Sequence, residues 1–160
     1  MGYTRSMQEK SPTTTIANYI NAHPLTVVST VDAQGYPHGS TVYAGSDDQL
    51  NIYFMTKTGT TKSHNIDNQS AVALTFSGED HQTTLQLSGT AREVISQTEG
   101  TPAFQVLASI KHASRDFRLP IAKLDSGHYI VYKVTTDHAL LTEYELSSQL
   151  DGRATIEFKR

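Results

Sequence analysis

The segment Thr56–Ile66 (TKTGTTKSHNI) concentrates residue types that could bind an anion. It follows the apolar run LNIYFM and contains four threonines, one glycine and two lysines. A helix that begins near Thr60 would point free backbone N–H groups outward, and such a terminus favours negative charge. Lys62 would lie in its first turn, where the helix dipole disfavours a cation unless an anion shares the site. The segment is therefore consistent with either a phosphate site or an ordinary capped turn.

Side-chain catalysis and metal binding have no comparable support in the sequence. The chain has no cysteine, which excludes disulfides and thiolate chemistry. Its seven histidines are dispersed without the spacing of metal ligands. Asp47 and Asp48 lie in a predicted hairpin turn, where aspartate usually caps the backbone. We therefore expect no catalytic side chain and no metal site.

The length and charge of the chain limit the kinds of protein that it can be. At 160 residues and 17.6 kDa, a single domain spanning 1–160 with one core is expected. A net charge of −3 and a pI near 6.1 give no basic surface for nucleic acid. No apolar run reaches the length of a membrane span, and the first residues lack the apolar part of a signal peptide. We expect a cytoplasmic protein that binds neither nucleic acid nor membrane.

Alternation with a period of two dominates the chain and predicts short antiparallel strands. In LTVVSTVD, Leu25, Val27 and Val31 alternate with Thr26 and Thr30, which is typical of a half-buried strand. Turns of about four residues lead to the strands HGSTVYAG and LNIYFMT. After the segment TKTGTTKSHNI come the strands AVALTFS and TTLQLSGTAREV.

Helices and a closing pair of strands complete the predicted fold. Ser11-Pro12 marks the cap and first residue of one helix. Another helix is expected to begin at Thr101-Pro102 and to end at Pro120. HYIVYKV and ALLTEYE follow as two strands, and a C-terminal extension, 148–160, could add a further one, whereas residues 1–10 could be disordered.

About seven strands without the spacing of parallel βαβ units predict a mainly β fold with two or three helices. Gly89, inside the fifth strand, predicts a bend or bulge at a barrel corner. The strands predict a closed or partly open antiparallel barrel. The hydrophobic fraction of 37% is modest, which suits either a single barrel or a protein that buries more surface in a dimer.

Four short motifs follow one another along this predicted barrel. They are Gly35-Tyr36-Pro37 in a turn, Phe54-Met55-Thr56 at a strand end, Thr60-Thr61-Lys62 with Ile66, and Val72, Leu74 and Phe76 in a strand. Their order and spacing resemble the FMN-binding split barrel of the pyridoxamine 5′-phosphate oxidase-like family, with its general stress protein and flavin reductase-like members. The resemblance covers most of the chain and implies an antiparallel split barrel that is homodimeric.

The resemblance assigns the phosphate end of FMN to one group of residues. The ammonium of Lys62 and the hydroxyl of Thr61 would hold the phosphate. Met55 and Thr56 would line the path of the phosphate and the ribityl chain.

The isoalloxazine ring is assigned to residues on two other strands. Ser40, Thr41 and Val42 would run along the ring. Thr84 lies where many family members have a glutamine that contacts the flavin, and Gln86 is one pleat away on the same face.

Three features depart from the pattern of the true oxidases. Ser40 stands where they have an arginine, and Thr61 replaces another frequent basic residue. The chain also has no tryptophan, so the C-terminal tryptophan and arginine signature is absent. The resemblance therefore indicates the broad family rather than that particular activity.

The function implied is that of an FMN-dependent oxidoreductase whose flavin is held between two subunits. Its partners would be a second copy of the chain, a small-molecule substrate and NAD(P)H. Two alternatives remain: a non-enzymatic module that binds or senses flavin or haem on the same barrel, and a deazaflavin-dependent reductase.

Overall fold

Seven antiparallel strands and three helices lie in the part of the chain that the computed structural model describes, residues 11–78, 82–110, 129–144 and 153–160. In chain order they are α1 Pro12–Ala22, β1 Leu25–Val31, β2 Pro37–Ser46, β3 Asn51–Lys57, α2 Thr61–Asn68, β4 Ala71–Ser77, β5 Thr83–Glu93, α3 Gln97–Ser109, β6 Tyr129–Tyr144 and β7 Arg153–Lys159. The sheet runs β3-β2-β1-β4-β5-β6-β7, and an additional pairing of β6 with β3 closes the first six strands into a barrel. The predicted mainly β, antiparallel barrel is confirmed. None of the described helices is long and apolar enough to cross a membrane.

Alternate residues of the strands fill the barrel, and α1 packs against the same core. Ile16 and Ile20 of α1 are fully buried in the cluster that contains Phe54, Leu74 and the other interior side chains. The helix begins as predicted, because the Oγ of Ser11 accepts the N–H of Thr14 at 3.2 Å.

Strand β1 lies where the sequence predicts it, but its faces are the reverse of what apolar alternation indicates. Leu25 and Val27 are 50% and 41% exposed, whereas Thr26 and Thr30 are buried with Val28 inside the barrel. Hydrogen bonds make the burial of the two hydroxyls possible. The Oγ1 of Thr26 donates to the carbonyl of Thr75 at 2.8 Å, and the Oγ1 of Thr30 accepts from the Nδ2 of Asn65 at 3.0 Å.

Strand β6 is a single strand of 16 residues, although the sequence predicts two. Its register with β5 shifts between Ser88 and Gly89, which confirms the irregularity predicted at that glycine. A Cβ at position 89 would collide with the backbone of Thr135. This close approach lets one strand continue past the bend, so that it pairs with β3 in its first half and β7 in its second.

Helix α3 begins at Gln97 and not at Thr101, because Ser96 provides a stronger start than the Thr-Pro pair. The Oγ of Ser96 accepts the N–H of Glu99 at 3.3 Å, which is the first half of a capping box. Pro102 consequently lies inside the helix. The predicted end at Pro120 lies outside the described residues, as do 1–10 and the start of the 148–160 extension, whose later part forms the strand β7.

Candidate functional site

The connection from β3 to α2 combines a left-handed turn with a capped helix. Gly59 has a φ of +70°, a conformation that favours glycine, and Thr60 is the N-cap of α2. The Oγ1 of Thr60 accepts the N–H of Ser63 at 3.4 Å, and the Oγ of Ser63 donates to the carbonyl of Thr60 at 2.8 Å. Two of the hydroxyls in this segment therefore serve the cap itself.

This capped turn forms one wall of an open pocket of about 490 Å³. The end of β1, the start of β2 and the N-terminus of α2 surround it. The residues that line it are Thr30, His38, Gly39, Ser40, Gly59, Thr60, Thr61 and Lys62. The lining consists of small and hydroxyl residues with two basic side chains, which suits an anion better than an apolar ligand.

Lys62 is the strongest electrostatic feature of the pocket. Its side chain is half-buried, and its Nζ lies 3.2 Å from the Oγ1 of Thr56. Burial lowers the pKa of this ammonium. Within the described ranges no carboxylate lies within 4.0 Å of it, although four other basic side chains have such a partner. A desolvated cation without a counter-charge is unfavourable, and a bound anion would offset that.

A buried hydrogen bond fixes the orientation of α2 relative to the barrel. The Nδ2 of Asn65 donates to the Oγ1 of Thr30 at 3.0 Å, and both side chains are at least 95% buried. Ile66 adds an apolar contact to the barrel core. The sequence does not reveal the Asn65–Thr30 pair, because its members are 35 residues apart and one belongs to the misassigned face of β1.

The structure brings together the residues assigned to the phosphate, with one exception. Thr61 and Lys62 line the pocket, and Thr56 contacts Lys62. Met55 lies on the other side of β3, where it packs against the apolar cluster beneath α3.

The residues assigned to the flavin ring fall on different surfaces. Ser40 lines the pocket, while Val42 is buried inside the barrel. Thr41 and Gln86 are exposed on the outer face, in a lateral row with Val27 and Thr75 between them. Because this row crosses four adjacent strands, Thr41 and Gln86 are about 14 Å apart at the usual strand spacing. Thr84 lies one pleat from Gln86 and pairs with Ser77.

A hydrogen-bonded pair of His38 and Asp32 at the edge of the pocket is a feature that the sequence analysis does not predict. The Nε2 of His38 lies 3.0 Å from the Oδ2 of Asp32. The other carboxylate oxygen accepts the N–H groups of Tyr36 at 2.9 Å and Gln34 at 3.0 Å. The signal in the sequence is the short turn around Gly35. In the structure this glycine has a φ of +90°, and the turn brings the two flanking strands into register and the two side chains together.

Comparison with known proteins identifies the family. No curated protein matches the sequence significantly. The fold is similar to a Clostridium acetobutylicum protein related to general stress protein 26 of B. subtilis, with a TM-score of 0.64 and 16% identity over 92% of this chain and 93% of that one. General Stress Protein 26 of Bacillus anthracis matches with a TM-score of 0.59 and 16% identity over 81% and 92% of the two chains. A NimC/NimA family protein of C. acetobutylicum gives 0.61 and 12% over 92% of each chain.

At these identities the solved structures establish the fold alone. The family itself is shown by the sequence, because the family model described as pyridoxamine 5′-phosphate oxidase matches residues 12–125, well over half of the chain. The protein belongs to the pyridoxamine 5′-phosphate oxidase family.

Proposed function

We propose that this protein binds FMN as a redox cofactor, with the phosphate group in the pocket beside Lys62. Flavin binding is common in the family. The observation that carries the proposal is the half-buried ammonium of Lys62, which lines a pocket at a helix N-terminus without a carboxylate partner among the described residues. A phosphate would supply the missing negative charge.

The residues around the pocket fit a phosphate group. Lys62 provides the positive charge, and the hydroxyls of Thr61 and Ser40 can donate hydrogen bonds. The first turn of α2 adds backbone N–H groups that have no partner within the helix. FMN supplies two-electron redox chemistry when bound, while the protein binds and orients it. We accordingly propose an oxidoreductase that uses a small-molecule substrate and NAD(P)H.

A homodimer with the flavin between its subunits is part of the proposal. The family resemblance implies it, and two features of the chain support it. Leu25 and Val27 are both exposed on the outer face of β1. The residues assigned to the ring also lie on two separate surfaces of one chain. A second copy of the chain seated on the outer face would cover the apolar side chains. Sedimentation at micromolar concentration with FMN should show a dimer, and a 17.6 kDa species would refute this part.

The central test replaces Lys62 and compares two ligands. A charge-assisted hydrogen bond contributes about 1.5–3 kcal/mol, so Lys62→Ala should weaken FMN binding roughly tenfold to a hundredfold. Riboflavin lacks the phosphate, so its affinity should hardly change. The melting temperature without ligand should stay close to that of the wild type. Equal loss of both ligands, or unfolding of the variant, would mean that the segment is an ordinary capped turn.

The visible spectrum of the purified protein separates FMN from the alternative ligands. The two absorption bands of oxidised flavin are expected. A Soret band would instead indicate a haem-binding module, and reduction of a deazaflavin without any affinity for FMN would indicate a deazaflavin-dependent reductase. Turnover of NAD(P)H in the presence of FMN then distinguishes an enzyme from a flavin carrier.

A further inference from the structure

His38 is a second basic side chain that lines the same pocket as Lys62. His38 belongs to β2, two residues before Ser40, so both side chains project from the same face of the strand. His38 and Lys62 are the ionisable residues among those that line the pocket. The imidazole is therefore placed where it can face the same bound group as the ammonium.

Asp32 determines which nitrogen of His38 is available to a ligand. The hydrogen bond from His38, together with those from the backbone of Tyr36 and Gln34, lowers the pKa of Asp32, so its side chain remains a carboxylate near neutral pH. A carboxylate only accepts hydrogen bonds, and the Nε2 of His38 must therefore carry a proton. In the neutral ring the Nδ1 then has no proton and can only accept a hydrogen bond, whereas in the protonated ring it carries a proton and donates one.

We propose that protonated His38 is the second cation of the phosphate pocket and that binding of a phosphate monoester is coupled to proton uptake at its imidazole. This inference rests on the proposed function, because it concerns the same pocket. A lone pair at Nδ1 would repel a phosphate oxygen, whereas an N–H there would bind it.

The charges around His38 explain why its protonation should depend on the ligand. The carboxylate of Asp32 accepts the hydrogen bond of the imidazole, and the ammonium of Lys62 lines the same pocket. The other described residues that line the pocket are uncharged. A phosphate between the two cations would offset their mutual repulsion, so that ligand binding and protonation favour each other.

The experiment measures dissociation constants of FMN and riboflavin from about pH 6.5 to about pH 8.5, where histidine side chains change charge. Wild-type affinity for FMN should fall roughly tenfold across this range, as expected for the loss of one charge-assisted contact. His38→Gln should remove the fall, while riboflavin should show none in either protein. The second ionisation of the phosphate, with a pKa of about 6, affects all variants alike and acts in the opposite direction.

A matched control is available in another histidine–carboxylate pair among the described residues. The Nε2 of His138 lies 2.8 Å from the Oε1 of Glu157, at an exposure similar to that of His38, and neither residue lines the pocket. His138→Gln should keep the wild-type pH profile. Asp32→Asn retains a side-chain oxygen for the turn but removes the charge, so it should flatten the profile as His38→Gln does.

The outcomes separate this inference from the proposed function. If FMN does not bind, or if Lys62→Ala weakens FMN and riboflavin equally, the proposed function fails. If Lys62→Ala is selective for FMN but His38→Gln keeps the wild-type pH profile, the function stands and the role of His38 is refuted. Isothermal titration in buffers of different ionisation enthalpy gives a second readout. It should show proton uptake with FMN in the wild type and its loss in His38→Gln.

Discussion

Helices α2 and α3 begin with the same kind of cap, yet their first turns carry opposite charges. Thr60 and Ser96 each accept a backbone N–H three residues ahead, at 3.4 and 3.3 Å. In α3 the residue that donates this N–H is Glu99, whose carboxylate suits the positive end of the helix dipole and pairs with Arg92. The charges at that helix end are therefore balanced within the protein.

In α2 the first turn contains Lys62 and no acidic residue. The pKa of Glu99 is lowered to about 2 by its bond to Arg92, which shows a charge stabilised by its partner. The pKa of Lys62 is also lowered, which shows a charge destabilised by burial. The N-terminus of α3 is thus neutralised by side chains of the protein. The N-terminus of α2 lacks a negative charge, which an anionic ligand could supply.

Exchanging the charge at α2 should have the largest effect. Lys62→Glu gives α2 the acidic first turn of α3, so FMN affinity should fall more than about a hundredfold, because the contact is lost and the phosphate is repelled. The melting temperature without ligand should not fall, since an acid suits a helix N-terminus.

Lys57→Glu is the matched control for this exchange. Lys57 is exposed in the same segment and does not line the pocket, so the variant should bind FMN nearly as well as the wild type. Fluorescence titration measures both variants. If the two weaken FMN to the same degree, net charge and not the pocket governs binding.

Removing a contact that holds α2 against the barrel should have an effect of intermediate size, on the free energy of unfolding. Helix α2 relies on the buried Asn65–Thr30 hydrogen bond, whereas α3 packs through Ala103 and Leu107. Asn65→Ala removes the donor to the buried Thr30 hydroxyl, which keeps only a long contact of 3.5 Å to the carbonyl of His38, and should lower the free energy of unfolding by about 1–3 kcal/mol. Asn68→Ala removes an exposed bond to the carbonyl of His64 and should change it by less than about 0.5 kcal/mol. Urea unfolding of both variants tests this, and equal effects would contradict it.

The smallest effect is expected at Glu99 and should depend on pH. Its pKa is lowered from 4.5 to about 2 in the folded protein, so its contribution is present above pH 4.5 and is lost as the pH falls towards 2. Glu99→Gln should therefore melt slightly below the wild type at neutral pH and together with it near pH 2. FMN affinity at neutral pH should not change. A difference in melting temperature that persists at pH 2 would mean that Glu99 acts through packing.

The sequence predicts the start of α2 well because the signals there are local. A glycine turn, a hydroxyl cap and a first-turn lysine follow each other within four positions, and the structure places them as expected. The start of α3 was predicted wrongly because Pro102 resembles a first helical residue, although Ser96 and Glu99 have the Ser-x-x-Glu spacing of a capping box.

Features that depend on distant partners could not be predicted in the same way. Apolar alternation in β1 does not say which face is inward, and buried threonines are acceptable only because Thr75 and Asn65 offer hydrogen bonds from other elements. The pairing of His38 with Asp32 requires the register of a hairpin, which depends on the turn geometry. These are the places where tertiary contacts override local pattern.

The pairing of β3 with β6 links the folding kinetics of the pocket to the far end of the chain. Every described residue that lines the pocket lies between positions 30 and 62, yet β3 pairs with a second strand at residues 129–135, more than 70 positions later. Contacts between such distant segments form slowly. A ligand that requires the closed barrel can bind only after β3 and β6 have paired. We therefore expect a bound phosphate ligand to slow unfolding without accelerating folding.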